Sequence, residues 1–330
     1  MGSFEMLTPE AAISAVEGAF GLALDGTLAP YPSYINRVYG LRTDDEQNLV
    51  AKFYRPGRWT EEALAEEHQF LRELAAADIP VVAPIADEEG ETLAAISVES
   101  GDREESFFFA LFPRRGGRNF DPETEDEWLR LGSVVGRIHA VGMSGRAPHR
   151  LVCRPDSLTA GFIKELLDAE IVHPEQTTEF KDITSAVLEM MAPAFRDLGM
   201  LRLHGDCHRG NILDRPGEGL LVIDFDDMMT GPAVQDLWLL LPGRANDSRR
   251  ELGLLVEGYE QFVSFDRETL RLIEPLRFMR LIYFLAWRAR QRDDHWFKRD
   301  FPEWGSKAFW IKELEDLREQ ALYVRDALES

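Results

Sequence analysis

The chain is poor in several things, and each scarcity removes a class of protein. Only Cys153 and Cys207 occur among its 330 residues. Two thiols cannot build a disulfide framework, so a reduced, cytoplasmic setting is expected. Positive charge is in deficit, with 37 lysines and arginines against 59 aspartates and glutamates, a formal net charge of −22. Nucleic-acid binding needs a basic surplus against the phosphate backbone, and anionic membrane surfaces select basic patches. Neither partner is expected. Long apolar runs are missing too: none approaches the ~20 residues that span a bilayer. The opening MGSFEMLTPEAAISAVEGAF carries acids and no basic region, unlike a signal peptide. No internal repeat or low-complexity stretch interrupts the chain.

What is present is an ordinary globular composition, 45% hydrophobic, and length enough for a large core. Thr8-Pro9-Glu10 reads as a helix start, with Thr8 as N-cap and Pro9 at the first helical position. SYINRVYGLRT and LVAKFYR read as strands, EEALAEEHQFLRELAAA as a strong amphipathic helix, and ETLAAISV and ESFFFALF as further strands. Pro113 breaks this pattern, and RRGGR follows as a connector. Beyond it the chain turns helical, at 123–142, 160–170, 176–197, 232–241, 248–264, 268–292 and 305–328. The expectation is an α+β fold of two lobes. A small β-rich lobe spans 1–112, a hinge 113–118, and a larger, mainly helical lobe 119–330.

One β interruption in the helical part carries the chemistry: LRLHGDCHRGNILDRPGEGLLVIDFDD. Asp206 and Asn211 stand five positions apart, and Asp224 emerges at the end of the apolar run from Leu220 to Ile223. Phosphoryl transfer from ATP uses such a set: a carboxylate takes the proton of the attacking hydroxyl, and an asparagine and a second carboxylate hold metal ions. The spacing parallels H-R-D-x-x-x-x-N followed by a metal-binding aspartate. A polar turn is the plain alternative. Zinc on His204, Cys207 and His208 is another, but adjacent cysteine and histidine fit no common structural-zinc spacing.

The matching half lies upstream. Val50-Ala51-Lys52 resembles the strand whose lysine pairs the α- and β-phosphates, and the following helix offers Glu67 as its partner, with Glu66 as competitor. No G-x-G-x-x-G lies between the first strands. Backbone N–H groups and the Ser33 hydroxyl could cover phosphate instead. The run ending at Phe112 could offer backbone groups and an apolar wall to adenine.

HGDCHRGN followed by IDFDD resembles the aminoglycoside phosphotransferase and choline kinase branch of the protein-kinase-like superfamily. SYINRVY, KFYRPGRWT, EEHQFL, FPRRGGR, GPAVQDLW and IEPLRFMRLIYFLAW extend the likeness over nearly the whole chain, closest to the bacterial stress response kinase A family. The resemblance implies an ATP- and Mg2+-dependent serine/threonine protein kinase of the cytoplasm, active in stress response. It implies Asp206 as proton acceptor, Asn211 and Asp224 as magnesium ligands, and Ser33 in the ATP site. His204 is expected to brace its loop. Two other readings stand beside it: a small-molecule kinase for choline, homoserine, a sugar or an aminoglycoside, and a nucleotide-binding pseudokinase. The aromatics Tyr283, Phe284, Trp287, Trp296 and Trp304 could cage a quaternary ammonium. If they lie near the cleft, the arginines Arg114, Arg115, Arg118, Arg288, Arg290 and Arg292 suit an acidic or phosphorylated peptide better, and the expected protein substrates include the kinase itself.

Overall fold

The computed structural model describes residues 4–33, 35–100, 103–294 and 297–329; Tyr34 and Trp296 lie outside them. In chain order the strands are β1 (Leu24–Tyr31), β2 (Arg37–Thr43), β3 (Asn48–Phe53), β4 (Ala94–Ser100), β5 (Arg103–Pro113), β6 (Arg118–Asn119), β7 (Leu201–Leu203), β8 (Ile212–Arg215), β9 (Gly219–Val222) and β10 (Met229–Gly231). The helices are α1 (Pro9–Phe20), α2 (Glu61–Ala76), α3 (Glu125–Gly142), α4 (Ala160–Asp168), α5 (Thr177–Met191), α6 (Val234–Trp238), α7 (Arg249–Tyr259), α8 (Ile273–Arg290), α9 (Phe297–Asp300) and α10 (Lys307–Glu329).

Two compact units result. The first takes Met1–Asp121, Ala147–Arg150 and His208–Asp227, and the second the remainder. The sequence reading divides the chain once, at 113–118. The contacts instead return two later segments to the first unit, because β8 pairs with β6 and Val222 N donates to Pro80 O at 2.8 Å.

In the first unit an antiparallel sheet runs in the order β1-β2-β3-β5-β4. Thr8 caps α1, its Oγ1 accepting from Ala11 N at 3.2 Å. The residues of α1 at Val16 and Phe20 pack on Tyr39, Leu41, Ala51, Phe53, Phe107 and Phe109, all buried. Side chains alternate along a strand. Since Ala51 and Phe53 enter that core, Lys52 projects from the opposite face, where Tyr54, Leu64 of α2 and Ala110 form a second buried cluster. The edge strand β1 was not expected from sequence; it buries no residue fully, so its pattern carries no strand signal. Conversely, Ser33, Ile35 and Asn36, read as strand, precede β2.

The second unit is mainly helical. Its α3 and α7 approach so closely that a Cβ on Gly132 would stand 2.0 Å from Leu255 O, and one on Gly258 2.0 Å from Leu129 O. Around them α10 packs on α5 and α8, and α4 on α8. The short ladder of β7 with β10 carries the His204–Asp206 turn at its end. The helix read at 232–241 is shorter than expected, Val234–Trp238; Pro242, which cannot continue a helix, follows closely. Among the described residues no helix is long and apolar enough to cross a membrane.

Candidate active site

A cavity of about 340 Å3 opens in the first unit, and Ser33, Asn36, Lys52, Glu67, Phe112 and Asp224 are among its lining residues. The sequence-predicted residues of this unit thus share one cavity, apart from Asn211. Lys52 reaches it from the middle of the sheet, flanked by Val38 on β2 and Ala110 on β5. Its Nζ lies 2.8 Å from Asp226 Oδ1, 3.6 Å from Glu67 Oε1 and 3.7 Å from Asp224 Oδ1. Glu66, the alternative partner on α2, is bound elsewhere: it accepts from His149 N and lies 2.7 Å from His149 Nδ1.

Asp226 is the hub, and sequence reasoning gave it no role. It accepts from Asn36 Nδ2 at 3.0 Å, pairs with Arg58 Nη2 at 3.0 Å, and its backbone oxygen accepts from Arg150 Nη2. Arg58 also holds Asp227 at 2.7 Å. Arg150 is fully buried, stacks 3.9 Å over the Trp59 ring, donates to Ala63 O and approaches Glu67 Oε2 at 3.7 Å. Burial alone would raise the Asp226 pKa; the Lys52 and Arg58 cations outweigh it and hold the carboxyl well below the usual range. Burial likewise pulls Lys52 down, but Asp226 and Glu67 more than reverse this and keep the ammonium charged. Glu67 goes the other way: burial pushes it up, against Lys52. Its Oε2 has no hydrogen-bond partner. Behind Lys52, His68 joins Tyr54 OH at 2.9 Å and Thr92 Oγ1 at 2.9 Å. Burial, with Lys52 and Arg150 nearby, pushes this imidazole down to about 3.

Ser33 Oγ accepts from Asn36 N at 3.3 Å, closing the turn before β2. Phe112 sits opposite Val50 in the β3–β5 ladder. Asp224 follows β9 in the left-handed region, φ +64°, with its side chain 57% exposed. Asn211 is buried and its carbonyl accepts from Ile223 N at 3.0 Å, so Asn211 and Asp224 mark the same end of the β8–β9 hairpin. Both offer hard oxygen donors, the kind Mg2+ takes.

Asp206 belongs to the second unit, on the turn after β7. Asp236 of α6, fully buried, braces that turn by accepting from His204 N at 2.8 Å and Gly205 N at 2.9 Å. His139 Nε2 lies 3.0 Å from the same carboxylate and its Nδ1 3.1 Å from Tyr259 OH. Gln235 adds a bond to Gly205 O, which helps hold Gly205 at φ +85°. The brace expected of His204 is therefore shared: its Nδ1 accepts from Asp206 N at 3.3 Å, while Asp236 fixes the backbone. Asp206 Oδ1 meets Arg280 Nη2 of α8 at 2.5 Å. Among the described residues no group of three or more His, Cys, Asp or Glu converges as metal ligands. Burial pushes the thiols of Cys153 and Cys207 up, Cys153 to about 12.

A five-stranded antiparallel sheet bearing a lysine matched to a helix glutamate, joined in sequence to a mainly helical unit, defines the two-lobed protein-kinase-like class. A family model described as phosphotransferase enzyme family matches residues 27–273. Stress response kinase A of Escherichia coli (strain K12) is 37% identical over 325 residues, covering 98% of this chain and 95% of that protein. Serine/threonine protein kinase RdoA of Salmonella typhimurium is 38% identical over 329 residues with the same coverage. Among solved structures, amicoumacin kinase hAmiN, in complex with AMP-PNP, Ca2+ and Ami, superposes with a TM-score of 0.75 at 14% identity, covering 96% of this chain and 94% of that one. The microcompartment-associated aminopropanol kinase gives 0.66 at 18%, covering 96% and 97%. The chain belongs to the phosphotransferase enzyme family, as a homologue of stress response kinase A.

Proposed function

We propose that this phosphotransferase is an ATP- and magnesium-dependent kinase whose acceptors are serine and threonine hydroxyls of protein, its own included. The observation that carries the nucleotide half is the placement of Lys52, Glu67, Ser33, Phe112 and Asp224 around one cavity. In this reading Lys52 neutralises the α- and β-phosphates, held for that task by Glu67 and Asp226. Ser33 and the turn it closes cover phosphate, and Phe112 walls the adenine. Asn211 and Asp224 would hold magnesium; their oxygen donors and the exposed Asp224 carboxylate fit that ion. The ion would spread the negative charge that builds on the transferring group. Asp206 takes the acceptor proton, on a turn that Asp236 keeps rigid. In this reading the nucleotide side belongs to the first unit, to which 208–227 return with Asn211 and Asp224, and the acceptor side to the second, which carries Asp206.

The protein acceptor rests on the relatives named as serine/threonine and stress response kinases. A cytoplasmic location fits two buried thiols that form no disulfide. Among solved structures of the fold, the kinases for amicoumacin and aminopropanol favour a small-molecule acceptor as the second reading. Incubation with γ-labelled ATP, magnesium, a panel of small alcohols and a cell extract separates them. Phosphoserine or phosphothreonine found by mass spectrometry supports the protein-kinase reading. Stoichiometric turnover of one small alcohol with no protein labelled overturns it.

A further inference from the structure

Arg280, within the run IEPLRFMRLIYFLAW, is in direct contact with the carboxylate of Asp206. Its Nη2 is 2.5 Å from Asp206 Oδ1, with both side chains only about a fifth exposed, 17% and 21%. The guanidinium lies 4.7 Å from the Phe284 ring centroid and 5.8 Å from that of Tyr283. Phe284 itself is exposed at 38%. A guanidinium offers five N–H donors in a planar fork, and among the described residues one nitrogen of Arg280 is engaged, by a single carboxylate oxygen. The other arginines of α8 are differently occupied. Arg277 donates to Gly243 O and faces Glu274, and Arg290 meets both oxygens of Glu165 at 2.7 and 2.6 Å. Arg288 lies over the Phe301 ring.

We propose that Arg280 selects the acceptor: its remaining N–H edge takes an oxyanion of the substrate segment while Nη2 stays on Asp206. A serine or threonine next to an acidic residue would then present its hydroxyl to the carboxylate that accepts the proton. A guanidinium bridging two oxyanions uses its planar fork as bidentate sites do. Charge decides against the opposite class. A basic residue at this position meets a fixed cation, whereas the chain's net −22 repels acidic segments only at long range. That long-range field is screened beyond ~8–10 Å at physiological salt, so recognition must be local, and Arg280 supplies it. The inference rests on the protein-kinase reading above and names its substrate class.

Two serine peptides that differ only in aspartate or asparagine beside the serine test it, with wild-type enzyme and the R280Q and R280K variants. The wild type is expected to favour the acidic peptide by about tenfold or more in kcat/KM, the scale of one charge-assisted hydrogen bond. Arg280→Gln should lower kcat/KM on the acidic peptide about tenfold more than on the neutral one, chiefly through KM, and Arg280→Lys should restore part of the ratio. Nucleotide binding by calorimetry reports that each variant is folded. Equal losses on both peptides, or no wild-type preference, would overturn the inference and make Arg280 a support for Asp206 alone. Self-labelling with neither peptide labelled overturns it too. The absence of all protein labelling overturns the protein-kinase reading beneath it.

Discussion

Lys52 Nζ stands 2.8 Å from Asp226 Oδ1, nearer than the 3.6 Å to Glu67 Oε1, the pairing expected from sequence. Asp226 also answers Arg58 and Asn36, whereas Glu67 leaves Oε2 without a hydrogen bond. Removing one partner of a buried pair strands the other charge and costs about 3–5 kcal/mol. Asp226→Asn should therefore destabilise the protein by about that much in urea unfolding, and Glu67→Gln by less. In double-mutant cycles Lys52→Met should couple more strongly to Asp226 than to Glu67. A larger coupling to Glu67 would remove Asp226 from the centre of the network.

His68 gives a pH signature. Its folded-state pKa, about 3, lies below the ordinary 6.5, so between these values the unfolded chain binds a proton that the folded chain does not. Stability from this group is full above about pH 6.5 and is lost as pH falls toward 3, by on the order of 1 kcal/mol per unit. Unfolding curves of wild type and His68→Gln between pH 7 and 5 should converge as pH falls. Parallel curves would show that His68 titrates normally in the fold.

Asp236 is not among the residues that line the cavity, yet it holds the backbone that carries Asp206. Asp236→Asn replaces one acceptor by a donor facing a buried N–H group, an unsatisfied contact worth about 1–3 kcal/mol. Turnover should fall at least about tenfold on the general-base scale, while nucleotide affinity stays within about threefold. Calorimetry and steady-state rates on one preparation check this; a parallel loss of nucleotide affinity would contradict a purely local brace.

Much of this was legible in local pattern. The Thr8 cap, the alternation that turns Lys52 away from Ala51 and Phe53, and the Asp206–Asn211–Asp224 spacing are short-range signals. The hub was not, because its partners are remote: Asn36 and Asp226 are 190 residues apart, and Arg150 comes from a segment beyond α3. The edge strand β1 escaped because an exposed edge shows no apolar alternation. Asp236 left a usable trace as the single charge of the short apolar helix VQDLW, whereas Arg280 is one of several charges along α8 and does not stand out from them. The arginines read as peptide contacts fared differently, since Arg290 is taken by Glu165 and Arg114 lies over Tyr31.

The division of roles between two aspartates is the centre of the account, and a paired measurement on Asp206→Asn and Asp224→Ala tests it. Nucleotide affinity with magnesium is measured by calorimetry, and phosphoryl transfer with labelled ATP. Asp206→Asn should bind ATP within about threefold of wild type and lose transfer by about 10²–10⁴-fold, the range of general-base catalysis. Asp224→Ala should lose both, since this carboxylate would hold the magnesium ion that offsets the charge of the nucleotide's phosphates. If Asp206→Asn loses ATP binding while Asp224→Ala retains it, the roles are reversed and the account fails.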